Sequence, residues 1–142
     1  MGSVMAPLLI EAGYNLIVWN RSSDKVDQLV GLGAKAASSP AALASSADVV
    51  VSMLTDDAAI LAVYEGPTGL LSVPVSEKLF IDMSTLRPPT VKHIAEHVRS
   101  KGATFVDAPV SGTVAPAKAG KLLVMCGASK EDYERAQPIL NV

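Results

Sequence analysis

The stretch FVDAPVSGTVAPAKAG, Phe105 to Gly120, decides how this chain is read. Phe105 and Val106 read as the end of a buried strand, and Asp107 breaks the apolar run. Ala108-Pro109-Val110 turns the backbone, because proline fixes φ and pushes the residue before it towards an extended shape. Ser111-Gly112-Thr113 then offers hydroxyls and an unhindered backbone amide, just ahead of the small-residue run Ala115 to Ala119. If that run is helical, its free N–H groups and dipole favour a carboxylate or phosphate. The carboxyl end of a strand is also where ligands bind in open α/β sheets. Taken by itself, the loop fits an ordinary strand–loop–helix connection better than an anion pocket.

Outward from this stretch, apolar runs and helical patterns alternate. Leu16–Trp19, Val49–Leu54, Leu79–Asp82, Ala103–Asp107 and Leu122–Cys126 read as strands, the first two of them continuous enough for a buried parallel sheet, with Lys35–Ala37 as a short edge strand. Helices are predicted over Ser3–Ala12, stopped by Gly13, and over Asp24 to about Leu32, capped by Ser23. Ser39-Pro40 opens a small helix to about Ser46, and Asp56 or Asp57 caps one to about Tyr64. After Pro88-Pro89-Thr90, the residues Val91, Ile94, Ala95 and Val98 form a core stripe at i, i+3, i+4, i+7. Ser129 caps a last helix from Glu131 to about Ile139. Pro7 and Pro138 are awkward inside helices, since each removes a backbone donor. This alternation implies βαβ units and a doubly wound, mostly parallel α/β sheet. No repeat, low-complexity tract or linker divides the chain.

A chain of 142 residues with 49% apolar content holds one domain with a real core. Net charge of −2 argues against a general nucleic-acid surface. The single cysteine, Cys126, allows no disulfide within the chain and reads as an inert core residue. No apolar run is long enough for a membrane span, and MGSVMAPLLIEAG lacks the basic segment of a signal peptide.

DAPVSGTVAPAKAGKL resembles the substrate-loop signature of the β-hydroxyacid dehydrogenases, the relatives of 3-hydroxyisobutyrate dehydrogenase and glyoxylate/succinic semialdehyde reductase. The resemblance spans essentially the whole chain. It implies a Rossmann-like dinucleotide-binding domain over 1–142, of the type found in 6-phosphogluconate dehydrogenase. Met1-Gly2 matches the end of the family's G-x-G-x-M-G, and AGYNLIVWNR continues the pattern. On this reading the first strand and most of the glycine-rich loop are missing. The family's catalytic lysine and its helical second domain are expected beyond Val142. We therefore expect a domain incomplete at both ends, with no catalytic residue of its own and no activity alone.

The same resemblance implies roles for individual residues. Gly2 stands at the cofactor phosphates. Asn20, Arg21 and Ser22 follow the strand that meets the adenosine ribose, and they offer donors to a 2′-phosphate where an acidic residue would favour NAD. NADP is the expected cofactor, although Arg21 also fits a solvated loop. Leu54 and Thr55 pass beside the cofactor, or simply end a strand and begin a helix. Thr85 stands near the nicotinamide ribose, with bonding to local backbone as its alternative. Ser111, Gly112 and Thr113 would hold the substrate carboxylate. Lys118 and Lys121 do not match the catalytic position and read as surface lysines.

His93-Ile94-Ala95-Glu96-His97 formally matches the zinc signature H-x-x-E-H. A zinc site needs a third protein ligand, and no second motif supplies one, so no metal is expected. The function that follows is hydride transfer between a nicotinamide cofactor and a small β-hydroxy acid or aldehyde-bearing carboxylate. Partners are that substrate and further copies in a homodimer or homotetramer, without nucleic acid or membrane. Cytoplasmic location is expected, with organellar import left open. The alternatives are a non-catalytic nucleotide-binding or assembly module and an imine reductase domain.

Overall fold

Residues at alternate positions of three short strands point to opposite faces of one sheet, and this sorting builds two cores. In the computed structural model, which describes Met1–Val142, these strands are β3 (Val49–Ser52), β4 (Leu79–Asp82) and β5 (Thr104–Asp107). They pair in parallel, with Val49, Leu79 and Thr104 level at one end and Ser52, Asp82 and Asp107 level at the other. Phe80 and Phe105 enter one core with Ile60, Tyr64, Ile94 and Val98. Leu79, Ile81 and Val106 enter the other, with Ala136 and the partly buried Met5, Ile139 and Leu140.

The helices supply those two faces. α3 (Pro40–Ser46), α4 (Asp57–Glu65), a 3-10 turn at Leu70–Ser72 and α5 (Pro88–Ser100) cover the first. α1 (Gly2–Glu11) and α7 (Lys130–Leu140) cover the second. Ser39 and Ser129 cap their helices as expected, accepting from Ala42 N and Asp132 N at 3.1 Å each. Of the two aspartates offered as a cap for α4, Asp56 serves, accepting from Ala59 N at 2.8 Å. The stripe on α5 is buried at Ile94, Ala95 and Val98 and half-buried at Val91. α1 and α7 run through Pro7 and Pro138 respectively.

Several expectations need correction. α2 (Ser23–Val30) has Ser22 rather than Ser23 at its N-cap, and no side chain caps it; the Ser22 oxygen instead accepts from Asn20 Nδ2 at 2.9 Å. Leu16–Trp19 shortens to β1 (Ile17–Val18), which pairs in parallel only with β2 (Lys35–Ala36). β1 and β3 share no ladder, so the parallel strands form two separate sets. With nothing to pair with on its β3 side, β1 has only one neighbour to keep it in register.

The last apolar run adds no parallel strand either, although Gly127 just after it forms an antiparallel bridge with Asp107 of β5. β7 (Leu123–Val124) runs antiparallel to β6 (Val110–Ser111), a strand where a turn was expected. α6 (Val114–Lys118) between them is only 5 residues long. The link from Ser111 to Leu123 falls short of the dozen or more residues that a parallel crossover needs. No helix is long and apolar enough to cross a membrane.

Candidate functional site

The level ends of β3, β4 and β5 place three polar residues, Ser52, Asp82 and Asp107, along one edge of the sheet. Asp82 is fully buried. Ser52 Oγ donates to Asp82 Oδ1 at 2.6 Å, which leaves the Tyr64 hydroxyl to donate to Ser52 Oγ at 2.8 Å. Ser84 Oγ also donates to Asp82 Oδ1, at 2.8 Å, and accepts from Leu54 N at 2.8 Å. Ser84 thus ties the loop after β4 to the loop after β3, and it fixes the backbone at Leu54-Thr55.

Asp82 Oδ2 has no hydrogen-bond partner. Burial raises the Asp82 carboxyl above its ordinary range, against the opposing pull of Ser52 and Ser84. Asp107 is raised by burial and then by the charge of Asp82. Burial raises the Tyr64 phenol too, so it stays a neutral donor. Cys126 is half-buried beside the second core rather than within it, and its thiol is raised by burial and by Asp107, which disfavours a reactive thiolate.

Between β1 and β3 runs a cleft of about 1070 Å³. Most of its wall is apolar, including Leu16, Val18, Val49 and Val51, and that part is an opening in the sheet. Its polar lining includes Asn20, Arg21, Ser52 and Thr55, from the carboxyl ends of β1 and β3. Gly2 lines it too, at the first turn of α1, where a Cβ would stand 3.6 Å from Met53 Cβ. α1 has no side-chain cap, and its first internal bonds run from Val4 N and Met5 N to Met1 O. The N–H groups of Gly2 and Ser3 are therefore free for an anion.

The structure brings together Gly2, Asn20, Arg21, Leu54 and Thr55 around this cleft. Ser22 sits just outside it, bonded to Asn20, whose Nδ2 also donates to Ser22 O at 3.0 Å. Arg21 is exposed and enters no ion pair of the chain. Thr55 is exposed and bonds Asp56 at 3.3 Å. Thr85 is exposed beside the buried Ser84 and does not line the cleft.

Ser111, Gly112 and Thr113 are exposed, at the β6–α6 corner past the end of β5, and do not line the cleft themselves, although Leu122 beside Gly112 does. Gly112 has φ +145°, and a Cβ there would meet Leu122 Cδ2 at 2.6 Å, so this corner requires glycine. The brevity of α6 weakens the helix-dipole argument for an anion here and leaves the hydroxyls and the Gly112 amide as its donors. Lys118 and Lys121 are exposed, as expected of surface lysines.

The polar chain through Ser52, Tyr64, Asp82 and Ser84 escaped sequence reasoning. Its one visible signal is an aspartate closing each of two neighbouring strands, at LFID and TFVD.

Residues 1–142 match the NAD binding domain of 6-phosphogluconate dehydrogenase. The chain belongs to that family. It is an NAD(P)-binding domain of the β-hydroxyacid dehydrogenase type, as the substrate-loop motif implied. Over all 142 residues it is 39% identical to glyoxylate/succinic semialdehyde reductase 2, chloroplastic, of Arabidopsis thaliana, of which it covers 40%. The solved 3-hydroxyisobutyrate dehydrogenase of Mycobacterium tuberculosis, with L-serine, is 31% identical with a TM-score of 0.89; the match covers 99% of this chain and 47% of that one. Psf3 in complex with NADP+ and 2-OPP is 30% identical with a TM-score of 0.92, over 99% of this chain and 50% of that one. An imine reductase from Pseudomonas sp. is also similar, at 26% identity and a TM-score of 0.85, over 99% of this chain and 48% of that one. The NAD(P)-binding domain thus spans about half the length of the proteins it matches.

Proposed function

We propose that this chain is the cofactor domain of an NADP-dependent oxidoreductase acting on a small carboxylate that bears a β-hydroxyl or aldehyde group. The observation that carries the NADP reading is Arg21. It is an exposed guanidinium without an ion-pair partner, at the carboxyl end of β1, lining the cleft with Asn20. A planar fork of donors suits a 2′-phosphate, whereas NAD-specific sites place a carboxylate there to hold the 2′-hydroxyl.

The remaining residues divide the work. The free N–H groups of Gly2 and Ser3 suit the pyrophosphate. Ser22 holds Asn20 in place. Leu54 and Thr55, anchored through Ser84, form a wall for the dinucleotide. Thr85 would reach the nicotinamide ribose. When bound, the nicotinamide supplies or accepts a hydride. Ser111, Gly112 and Thr113 would orient the substrate by its carboxylate. No residue of this chain is assigned the proton-transfer role, since Lys118 and Lys121 do not match the family's catalytic position.

The similarity to an imine reductase favours a second reading, in which the reduced bond is C=N. The donor-rich Ser111–Thr113 corner favours a carboxylate. We place the working protein in a homodimer or homotetramer, in the cytoplasm or an organelle. The test measures KM for succinic semialdehyde, glyoxylate and a cyclic imine with NADPH in the intact protein, before and after Ser111→Ala. A raised KM for the carboxylate with unchanged cofactor affinity supports the assignment. Preferred turnover of the imine contradicts it.

A further inference from the structure

The histidine pair on α5 lacked a third ligand in the sequence, and the fold supplies one. Residues spaced i, i+4 share a helix face, and His93 and His97 lie on the exposed side of α5, away from the buried Ile94 and Val98. Glu65, the last residue of α4, comes between them. Its Oε1 lies 2.9 Å from His93 Nε2 and 2.5 Å from His97 Nδ1, and all three atoms fall within 4.8 Å of one another. We propose that Glu65, His93 and His97 form a binding site for a divalent transition-metal ion of the zinc class.

The donor set fits that class. Two imidazole nitrogens and one carboxylate oxygen, with a fourth position open to water, suit zinc, cobalt or nickel rather than magnesium or calcium, which prefer oxygen. Bonds of about 2.0–2.2 Å in tetrahedral array put ligand atoms roughly 3.3 Å apart. The observed spacings need only small rotations of side chains that are 57%, 37% and 24% exposed at His93, His97 and Glu65. A second feature favours a cation. Glu65 ends α4, where the helix dipole is negative, so its carboxylate is out of place without positive charge or donors beside it. The hydrogen bonds to both imidazoles keep the three ligands assembled, and an ion would replace those protons. Glu96, the acid of the sequence motif, is not in the cluster.

None of the three residues lines the cleft, and the site stands at the opposite end of α4 from the cleft's polar lining, although Val63 of the same helix does line it. Thr55 lines the cleft just before α4 begins, and Glu65 closes that helix, about 1.5 Å per residue further on. Its role is a clamp between α4 and α5, the two long helices on one face of the sheet. Binding to the folded state alone then raises stability by RT ln(1 + L/Kd), where L is the free metal concentration, so Tm climbs with L.

Titration calorimetry of the intact protein with zinc chloride tests this, alongside cobalt(II) absorption and thermal melting. One saturable zinc per chain is expected, with visible cobalt bands of four-coordinate type and a zinc-dependent rise in Tm. Affinity should fall at least about tenfold in Glu65→Gln and in His97→Gln, the scale on which even outer partners of a metal act. Saturable binding should vanish in the His93→Gln/His97→Gln pair and persist in Cys126→Ser. No saturable binding to the unaltered protein overturns the proposal. So does binding that survives the paired histidine change, or that disappears with Cys126.

Discussion

A carboxylate with one oxygen bonded twice and the other buried without a partner is unstable as an anion. Asp82 is in that position, and its folded pKa is raised above the ordinary 3.8. The sign follows from linkage. A raised acid contributes stability that is complete below its unfolded pKa and is lost as pH rises through the folded value. Asp82→Asn keeps the acceptor for Ser52 and Ser84 and removes the titration. Urea unfolding from about pH 4 to about pH 7 should show the variant gaining on the parent as pH rises, and parallel curves would refute this. Ser84→Ala should cost about 1–3 kcal/mol in the same assay, because it strands Leu54 N and removes a donor from Asp82. Neither residue was legible as part of a network. Ser52 and Asp82 are 30 residues apart, and Tyr64 sits in a helix whose sequence reads only as apolar. That Arg21 lines the cleft was legible from its position after an apolar strand, within the pattern that resembles the family.

At the scale of elements, the strands and caps followed local rules that the sequence states openly. Ser39-Pro40, Asp56 and Ser129 cap the helices expected of them, and β4 keeps the expected limits Leu79–Asp82. Apart from the cap of α2, the errors fell where tertiary pairing decides. β1 shortened for want of a neighbour on its β3 side, and β7 turned antiparallel because its connection is short. The β6–α6 corner depends on one glycine. Gly112→Ala combines a positive φ with a 2.6 Å contact to Leu122, so strain of about 1–3 kcal/mol is expected. It should raise KM for a carboxylate substrate more than it changes cofactor affinity, and an unchanged KM would remove this corner from the substrate site.

At the scale of the whole molecule, the parallel strands part between β1 and β3, leaving ladder groups unpaired on both sides of an apolar cleft. Open strand edges of this kind template association. The 142-residue chain by itself should therefore elute as a concentration-dependent mixture in size-exclusion chromatography. A sharp monomer peak across a wide concentration range would mean that the edges are closed in solution. The cleft's polar lining remains the seat of the proposed function. Calorimetric titration of the intact protein with NADP+ and NAD+, repeated on Arg21→Asp, tests that claim most directly. Hydrogen bonds to a charged group contribute about 1.5–3 kcal/mol, so NADP+ should bind at least about tenfold more tightly than NAD+, with the preference lost or reversed in the variant. Equal affinity for the two cofactors, or a preference that survives Arg21→Asp, would contradict the account.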